Sequence, residues 1–535
     1  MAVINSEIDV NSDEFANNSR IMAEAVEEFR SVERSVIAAA QAKEDRYRKR
    51  GLMPPRERLT HLLDNGAPFL ELSTLCDYMQ GEHTDGSSAG GGMIAGLGYV
   101  DGTLCMVVID DYLTKGGSST QLGGEKRKRI LNLALNNKLP LIALAQSGGG
   151  NLKTMGDWFG PSAEGFAIQC RLSAVGVPQI TVVHGSATAG GAYQPGLSDY
   201  VIMIRKQSTM FLAGPPLLKA ATGEIATAEE IGGAEMHAQV AGTADYIAEN
   251  DADGIRIARE VTRKLDWPAG DSAKREYSEP LYASQEMLGI VPESPKTPYD
   301  VREIIARIAD ASDFVDFKPE FDAGTVCGHI EIQGIKCAVI GNNSPITAKG
   351  AAKAGQFVQL CEHTRCPIVF LHNTTGFIVG TEAEQAGIIK HGAKLIQAVT
   401  NSTVDKFSIV VGGSYGAGNY AMCGRGIDPN FMFAWPRSVV SVMGPQQAGS
   451  VIRTVAEAQM QRAGKVDEAA LDEVEHDTVS AMEARSGALA NTARMWDDGI
   501  IDPRDTRQIL GFVLQVCRDA RTRQPHTNTF GIGRL

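Results

Sequence analysis

The feature that most restricts the fold is a repeat far longer than any single helix or strand. The runs "LPLIALAQSGGG" at 139–150 and "PQITVVHGSATAGGAY" at 178–193 return in altered form as "CPIVFLHNTTGF" at 366–377 and "DKFSIVVGGSYGAGNY" at 405–420. Pro140 and Pro367, Gly185 and Gly412, and Tyr193 and Tyr420 are each 227 positions apart. On either side, "YVDGTLCMVVID" at 99–110 resembles "IEIQGIKCAVIG" at 330–341, each an apolar hairpin around a glycine turn. "MFLAGPP" at 210–216 resembles "VSVMGPQ" at 440–446 at an offset of 230, as a three-residue insertion would give. An apolar run that ends in a glycine-rich turn reads as a buried parallel strand leading into a helix. The chain is therefore expected to hold two copies of one α/β domain.

Composition agrees with that division. A chain of 535 residues with 43% hydrophobic content can bury a large core and is long for one domain. Pro268, Pro280, Pro292, Pro295 and Pro298 mark a linker, which sets a charged helical arm at 1–50, a first domain at 51–280 and a second at 281–535. The net charge of -13 disfavours nucleic acid and anionic membrane as partners. The basic run "EKRKR" at 125–129 adjoins an apolar helical stretch and reads as a surface or phosphate-contacting helix start. Nine scattered cysteines, with only Cys361 and Cys366 close together, predict reduced thiols in the cytoplasm and no metal site. The polar, acidic N-terminus is neither a signal nor a transit peptide, and no apolar run is long enough to span a bilayer.

The turns "ATAGGAY" and "SYGAGNY" carry the chemistry. A helix start leaves backbone N–H groups without partners, and these stabilise negative charge. Gly190, Gly191, Ala417 and Gly418 are small enough to let a ligand oxygen approach such amides. Tight packing of helix on strand would also favour small residues, but the turn occurs at matching places in both halves. Other glycine motifs do not fit. Neither turn has the lysine and hydroxyl of a P-loop, "GSATAGG" is not a dinucleotide fingerprint, and Ser414 in "GGSYG" is one position away from a hydrolase elbow. His184 and His237 read as structural histidines. What remains is a pair of backbone oxyanion sites.

At these residues the sequence resembles the carboxyltransferase (β) subunit of biotin-dependent acyl-CoA carboxylases, nearest to the 3-methylcrotonyl-CoA and geranyl-CoA branch. The matching motifs are "GLMPPRERLTHLLDNGAPFLEL" at 51–72, "TAGGAYQPGLSD" at 188–199, "MFLAGPPLLKAATGE" at 210–224 and "GGAEMHAQVAGTADYIA" at 232–248. In the second half they are "NTTGFIVG" at 373–380, "IIKHGAKLIQAV" at 388–399, "GGSYGAGNYAMCGR" at 412–425 and "SVMGPQQA" at 441–448. The resemblance implies two tandem crotonase-like domains, the first on the acyl-CoA side and the second on the biotin side. It also implies a hexamer within an α6β6 complex, with active sites between the first domain of one subunit and the second of another. Biotin would be carried by a biotin carboxylase and carrier α subunit, since this chain has neither a biotin-attachment motif nor a carboxylase ATP site.

By position, the amides of Gly190 and Gly191 would hold the thioester enolate oxygen, and those of Ala417 and Gly418 the biotin ureido oxygen. Carbon dioxide would pass from carboxybiotin, with the biotin anion serving as base and no side-chain base needed. Ala189, Ala192, Tyr193, Gly196, Gly148 and Gly149 would line the acyl side, and Thr375, Gly376, Phe377, Tyr415, Gly416 and Tyr420 the biotin side. Lys115, Lys126, Arg127 and Lys128 are candidate contacts for CoA phosphates. The chain departs from the family pattern at Gln146, where an acidic residue is expected, in the loop 147–160, and at Gly196, which is expected to deepen the acyl pocket. Competing readings are a single-site hydratase or isomerase, a propionyl-CoA-type carboxylase or decarboxylase subunit, and a noncatalytic scaffold that would have lost one turn.

Overall fold

The computed structural model describes residues 3–81, 84–150, 155–268, 270, 275–294, 297–464 and 466–533. Its first half contains β1 (Phe69–Glu71), β2 (Met93–Val100), β3 (Thr103–Asp110), β4 (Ser118–Ser119), β5 (Leu141–Ser147), β6 (Gly149–Gly150), β7 (Gln179–Thr188), β8 (Tyr200–Ile204), β9 (Thr209–Phe211) and β10 (Tyr246–Ala248). Eight of these form one sheet in the order β1-β2-β3-β5-β7-β8-β10, with β9 alongside the end of β7, and β4 pairs with β6. β1 to β3 run antiparallel, and β3, β5, β7, β8 and β10 run parallel. The second half contains β11 (Val315–Asp316), β12 (Thr325–Ile332), β13 (Ile335–Asn342), β14 (Ile368–Thr374), β15 (Lys406–Tyr415), β16 (Phe431–Ala434) and β17 (Val439–Ser441). Its sheet runs β11-β12-β13-β14-β15-β16, with β17 beside β15.

The two sheets share one register. β5 and β14, like β7 and β15, begin and end 227 positions apart, while β9 and β17 are 230 apart. The insertion inferred from sequence thus falls between β7 and β9. In both halves the antiparallel hairpin closes on a pair of positive-φ residues, Asp101–Gly102 and Gln333–Gly334, the turn geometry that follows strand twist. Every residue of β5 is buried, as a central parallel strand covered on both faces requires. The first core packs Ile142, Leu144, Ile180, Val182, Ile202 and Ile204 against Leu59 and Ile255. The second packs Ile340, Ile368 and Phe370 against Phe357, Leu395 and Val399. Each such side chain stabilises its half by ~1.5–3 kcal/mol.

The chain divides into two compact units. One is Val32–Ser272 with Ala493–Met495 and Val516–Leu535, and the other is Met1–Ser31 with Ala273–Thr492 and Trp496–Gln515. The N-terminal segment 1–50 is therefore shared between them. Its first part belongs with the second half: Val3 bridges to Asp313, and the Phe15 ring occupies the space over Gly289, where a Cβ would lie 2.2 Å from it. The helix Asp13–Gln41, charged on its outer face, buries Met22, Val26 and Phe29.

Candidate active site: two amide turns

In the first half, the pairing of β5 with β7 shifts register between Ala145 and Ser147, so that Ser147 lies opposite Ala187. The shift frees the end of β7 to pair with β9, and Ala189 N donates to Phe211 O at 3.0 Å. Ala189 then takes φ +52° and ψ -118°, a sparsely populated conformation for a residue with a Cβ, and the helix Gly190–Leu197 begins. Among the described residues the amides of Gly190 and Gly191 have no backbone partner, as expected in a first helical turn without a side-chain cap. They open onto a cavity of about 230 Å³ that Met155, Trp158, Pro161 and Phe166 wall with apolar surface. Gly149, Arg127 and Lys128 line the same cavity.

The second half builds the same turn. β14 and β15 shift register between His372 and Thr374, which puts Thr374 opposite Ser414. Gly416, the counterpart of Ala189, has φ +54°, and its Cβ would lie 3.1 Å from Val442 O. The amides of Ala417 and Gly418 also lack a backbone partner among the described residues. Glycine is required here for close approach: a Cβ on Gly418 would lie 2.8 Å from Gly376 Cα, and one on Gly191 would lie 3.0 Å from Ser147 Cβ. Gly149 and Gly376 take φ +93° and +109° at equivalent places beneath the turns, where a side chain would be strained.

Below the turns the halves are partly alike and partly divergent. A Cβ on Gly185 would lie 2.6 Å from Gln146 Nε2, and one on Gly412 would lie 2.5 Å from Asn373 Oδ1. An amide side chain thus occupies the space over a strand glycine in each half, which accounts for Gly185. Gln146 accepts from the Tyr47 hydroxyl, and Tyr47 in turn accepts from Arg58 at 3.1 Å. In the second half, Asn419 Nδ2 donates to Ser414 Oγ at 2.9 Å, and Ser414 Oγ lies 2.9 Å from His372 Nδ1. Burial lowers the His372 pKa to about 3, so the ring is neutral. The first half has Ala192, Ala187 and Ala145 at those places and uses Arg127 instead, bound to Asp110 and to Gln194.

His184 bonds Asp251 in the interior, where burial first and then the Arg58 charge lower its pKa to about 4. His237 bonds Thr243 and Met210 O. Both are buried structural groups, hydrogen-bonded within the protein.

The remaining candidates are spread around these turns. Ala192 is buried on the strand side of its helix, while Tyr193 is exposed and tilts against the Phe166 ring at 5.5 Å. Gly148 is exposed on the loop beside Gly116 O. Gly196 is not among the residues lining this cavity, and a Cβ there would meet nothing within 4 Å. In the second half Thr375 and Tyr420 are exposed, Phe377 packs on Gly392, and Tyr415 folds back over Gly413. Residues 151–154 of the loop 147–160 lie outside the described residues.

The basic run needs a larger correction. Lys126 is fully buried, and its Nζ donates to Met93 O at 2.9 Å and Gly90 O at 3.1 Å; burial lowers its pKa. It cannot meet a CoA phosphate. Its counterpart Lys353 is also buried and donates to Asp322 O. "TQLGGEK" and "TAKGAAK" are the missed signal: Thr120 and Thr347 cap their helices by accepting from Gly123 and Gly350, and each buried lysine follows three positions after that glycine. Arg127 is paired with Asp110 at 2.6 Å, and Lys128 with Glu125 at 2.7 Å and Glu164 at 3.2 Å. Lys115 is exposed. Among the described residues no group of His, Cys, Asp and Glu is placed to hold a metal, and no helix is long and apolar enough to cross a membrane.

Two α/β halves, each ending a parallel strand in an open amide turn, define a protein of the duplicated crotonase type, suited to stabilising oxyanions. The match to known proteins is specific. The chain belongs to the carboxyl transferase family, whose domain covers residues 46–530. It is 41% identical, over the full length of both chains, to the probable biotin-dependent acyl-coenzyme A carboxylase beta2 subunit of Mycobacterium tuberculosis. It is also 41% identical to the probable methylcrotonoyl-CoA carboxylase β chain of Drosophila melanogaster, over all of this chain and 95% of that one. The crystal structure of the β subunit of P. aeruginosa geranyl-CoA carboxylase superposes over the whole of both chains with a TM-score of 0.93 at 54% identity. The resemblance to carboxyltransferase β subunits of biotin-dependent acyl-CoA carboxylases is thereby borne out.

Proposed function

We propose that this chain moves a carboxyl group from biotin, carried on a partner α subunit, to a branched α,β-unsaturated acyl-CoA of the 3-methylcrotonyl or geranyl type. One observation carries the reading: an unobstructed amide turn recurs 227 positions apart, and the first opens onto an apolar cavity. Gly190 and Gly191 donate to the thioester oxygen as it becomes an enolate, and each such donor contributes ~2.7–4 kcal/mol to the transition state. Met155, Trp158, Pro161 and Phe166 give an apolar acyl chain a dry wall beside those donors. Ala417 and Gly418 donate to the ureido oxygen of biotin, on a turn that the close packing of Gly418 against Gly376 holds in place. Biotin itself supplies the carboxyl group and the base. The first half, 51–280, binds acyl-CoA and the second, 281–535, binds biotin. Lys115 is the basic candidate left open toward the CoA phosphates.

The names of the relatives favour the unsaturated branched substrates, and the β-subunit family favours a hexamer with a separate α subunit. We place the enzyme in the cytoplasm, where its nine free thiols stay reduced. The test is reconstitution with a biotinylated α subunit, ATP and bicarbonate over a thioester panel from propionyl-CoA to geranyl-CoA. Preference for 3-methylcrotonyl- or geranyl-CoA is expected; preference for the saturated short thioester would overturn the substrate class. Mass measurement of the purified chain checks the hexamer.

A further inference from the structure

We propose that Arg127 is a positioning residue that fixes the first amide turn, and not a ligand for the CoA phosphates. One guanidinium joins three elements. Its NH2 donates to Asp110 Oδ1 at 2.6 Å at the end of β3, and its NH1 donates to Gln194 Oε1 at 2.9 Å on the helix that begins with Gly190. The other oxygen of Asp110 accepts from Gln146 N at 3.0 Å at the end of β5. Gln146 immediately precedes Ser147, the residue that limits how closely Gly191 can approach. Arg127 therefore holds the helix that presents the amides against the strand end that sets their height.

The geometry selects arginine, since two separate nitrogens of a planar fork must reach two acceptors at once; a lysine presents a single point of donation. The charge is already matched by Asp110, which is only 4% exposed, so it is not free for a phosphate. The second half supports the same division of labour by contrast. Its position equivalent to Arg127 is Ala354, buried in the core, and there the chain Asn419, Ser414 and His372 ties the turn to its strand. The duplicated halves keep one amide turn and hold it with different polar locks.

The experiment uses the full chain in complex with its biotinylated α subunit and has two arms. The first, hydrogen–deuterium exchange over 188–197, is independent of catalysis. Arg127→Gln is expected to raise exchange there at least tenfold and to leave 412–421, the equivalent turn, unchanged. Gln194→Leu, which breaks the link without touching the Asp110 pair, is expected to do the same. Gln194→Glu, which keeps an acceptor for the guanidinium, is expected to hold exchange within twofold. Unchanged exchange in both Arg127→Gln and Gln194→Leu would overturn the proposal.

The second arm rests on the carboxyltransferase reading and compares 3-methylcrotonyl- or geranyl-CoA with the matching pantetheine thioester. Positioning lowers kcat by the same factor, tenfold or more, on both substrates. A loss confined to the CoA thioester, appearing in KM, would overturn the proposal in favour of a phosphate contact. Wild-type complex inactive on every thioester would sink the functional reading, while the exchange arm would still decide the role of Arg127.

Discussion

Gly191→Ala is the perturbation that bears most directly on the amide turns. The added methyl would sit 3.0 Å from Ser147 Cβ and 3.1 Å from its Oγ, against 3.4–4 Å for ordinary contact. Ser147 cannot yield freely: its Oγ donates to Gly117 O at 3.1 Å and accepts from Gly149 N at 3.1 Å. The helix start must therefore retreat by a few tenths of an ångström, which carries the Gly190 and Gly191 amides out of line with a bound oxyanion. Losing one such donor costs ~2.7–4 kcal/mol, or ~10²–10³ in kcat. The fold should survive, because alanine is favoured over glycine in a helix by ~1 kcal/mol and offsets much of the contact. In the reconstituted complex we expect kcat to fall by that factor, with the melting temperature within a few degrees of wild type. Adding Ser147→Gly, which removes the opposing Cβ, should restore at least tenfold relative to the single variant. Full activity in Gly191→Ala, or no gain in the double variant over Gly191→Ala alone, would refute the reasoning.

Lys126→Met should leave the buried Met93 carbonyl without its lysine donor, while Gly90 O keeps Met93 N at 3.3 Å, and lower stability by ~1–3 kcal/mol in urea titration, with KM for the acyl-CoA unchanged; a raised KM would return Lys126 to the phosphate site. Ala189→Gly should stabilise the chain by ~1 kcal/mol, because glycine relieves the positive-φ strain that its counterpart Gly416 avoids; a less stable variant would show that Ala189 is unstrained. Asp497 is buried beside the Asp498 carboxylate, and burial first, with that charge adding, raises its pKa from 3.8 to about 7. Between pH ~4 and ~7 the unfolded chain ionises this group while the folded chain does not, so stability falls as pH rises through that window, by ~4 kcal/mol in all. Asp497→Asn should flatten that part of the pH–stability curve, and an unchanged slope would refute the shift.

How far the sequence could be read depended on the range of the contacts concerned. The repeat offset fixed the register of β5 with β14 and of β7 with β15, because a strand pattern and its terminal glycines are local properties copied with the gene. The two turns were legible for the same reason: an open amide demands a small residue wherever it occurs. Side-chain partners were not legible in this way. Lys126, Arg127 and Lys128 look alike as a basic run, yet one is buried on two carbonyls, one bridges β3 to a helix, and one pairs at the surface.

The sequence by itself therefore determined the duplicated α/β architecture, the places where backbone donors are exposed, and the family to which they belong. Tertiary structure alone decided which charges remain for a ligand, why Gln146 demands Gly185, and how differently the two turns are anchored. Helical facing and strand order bring residues such as Asp110, Arg127 and Gln194 together across 17 and 67 positions of chain, and one-dimensional spacing does not encode which acceptor a flexible cation will meet.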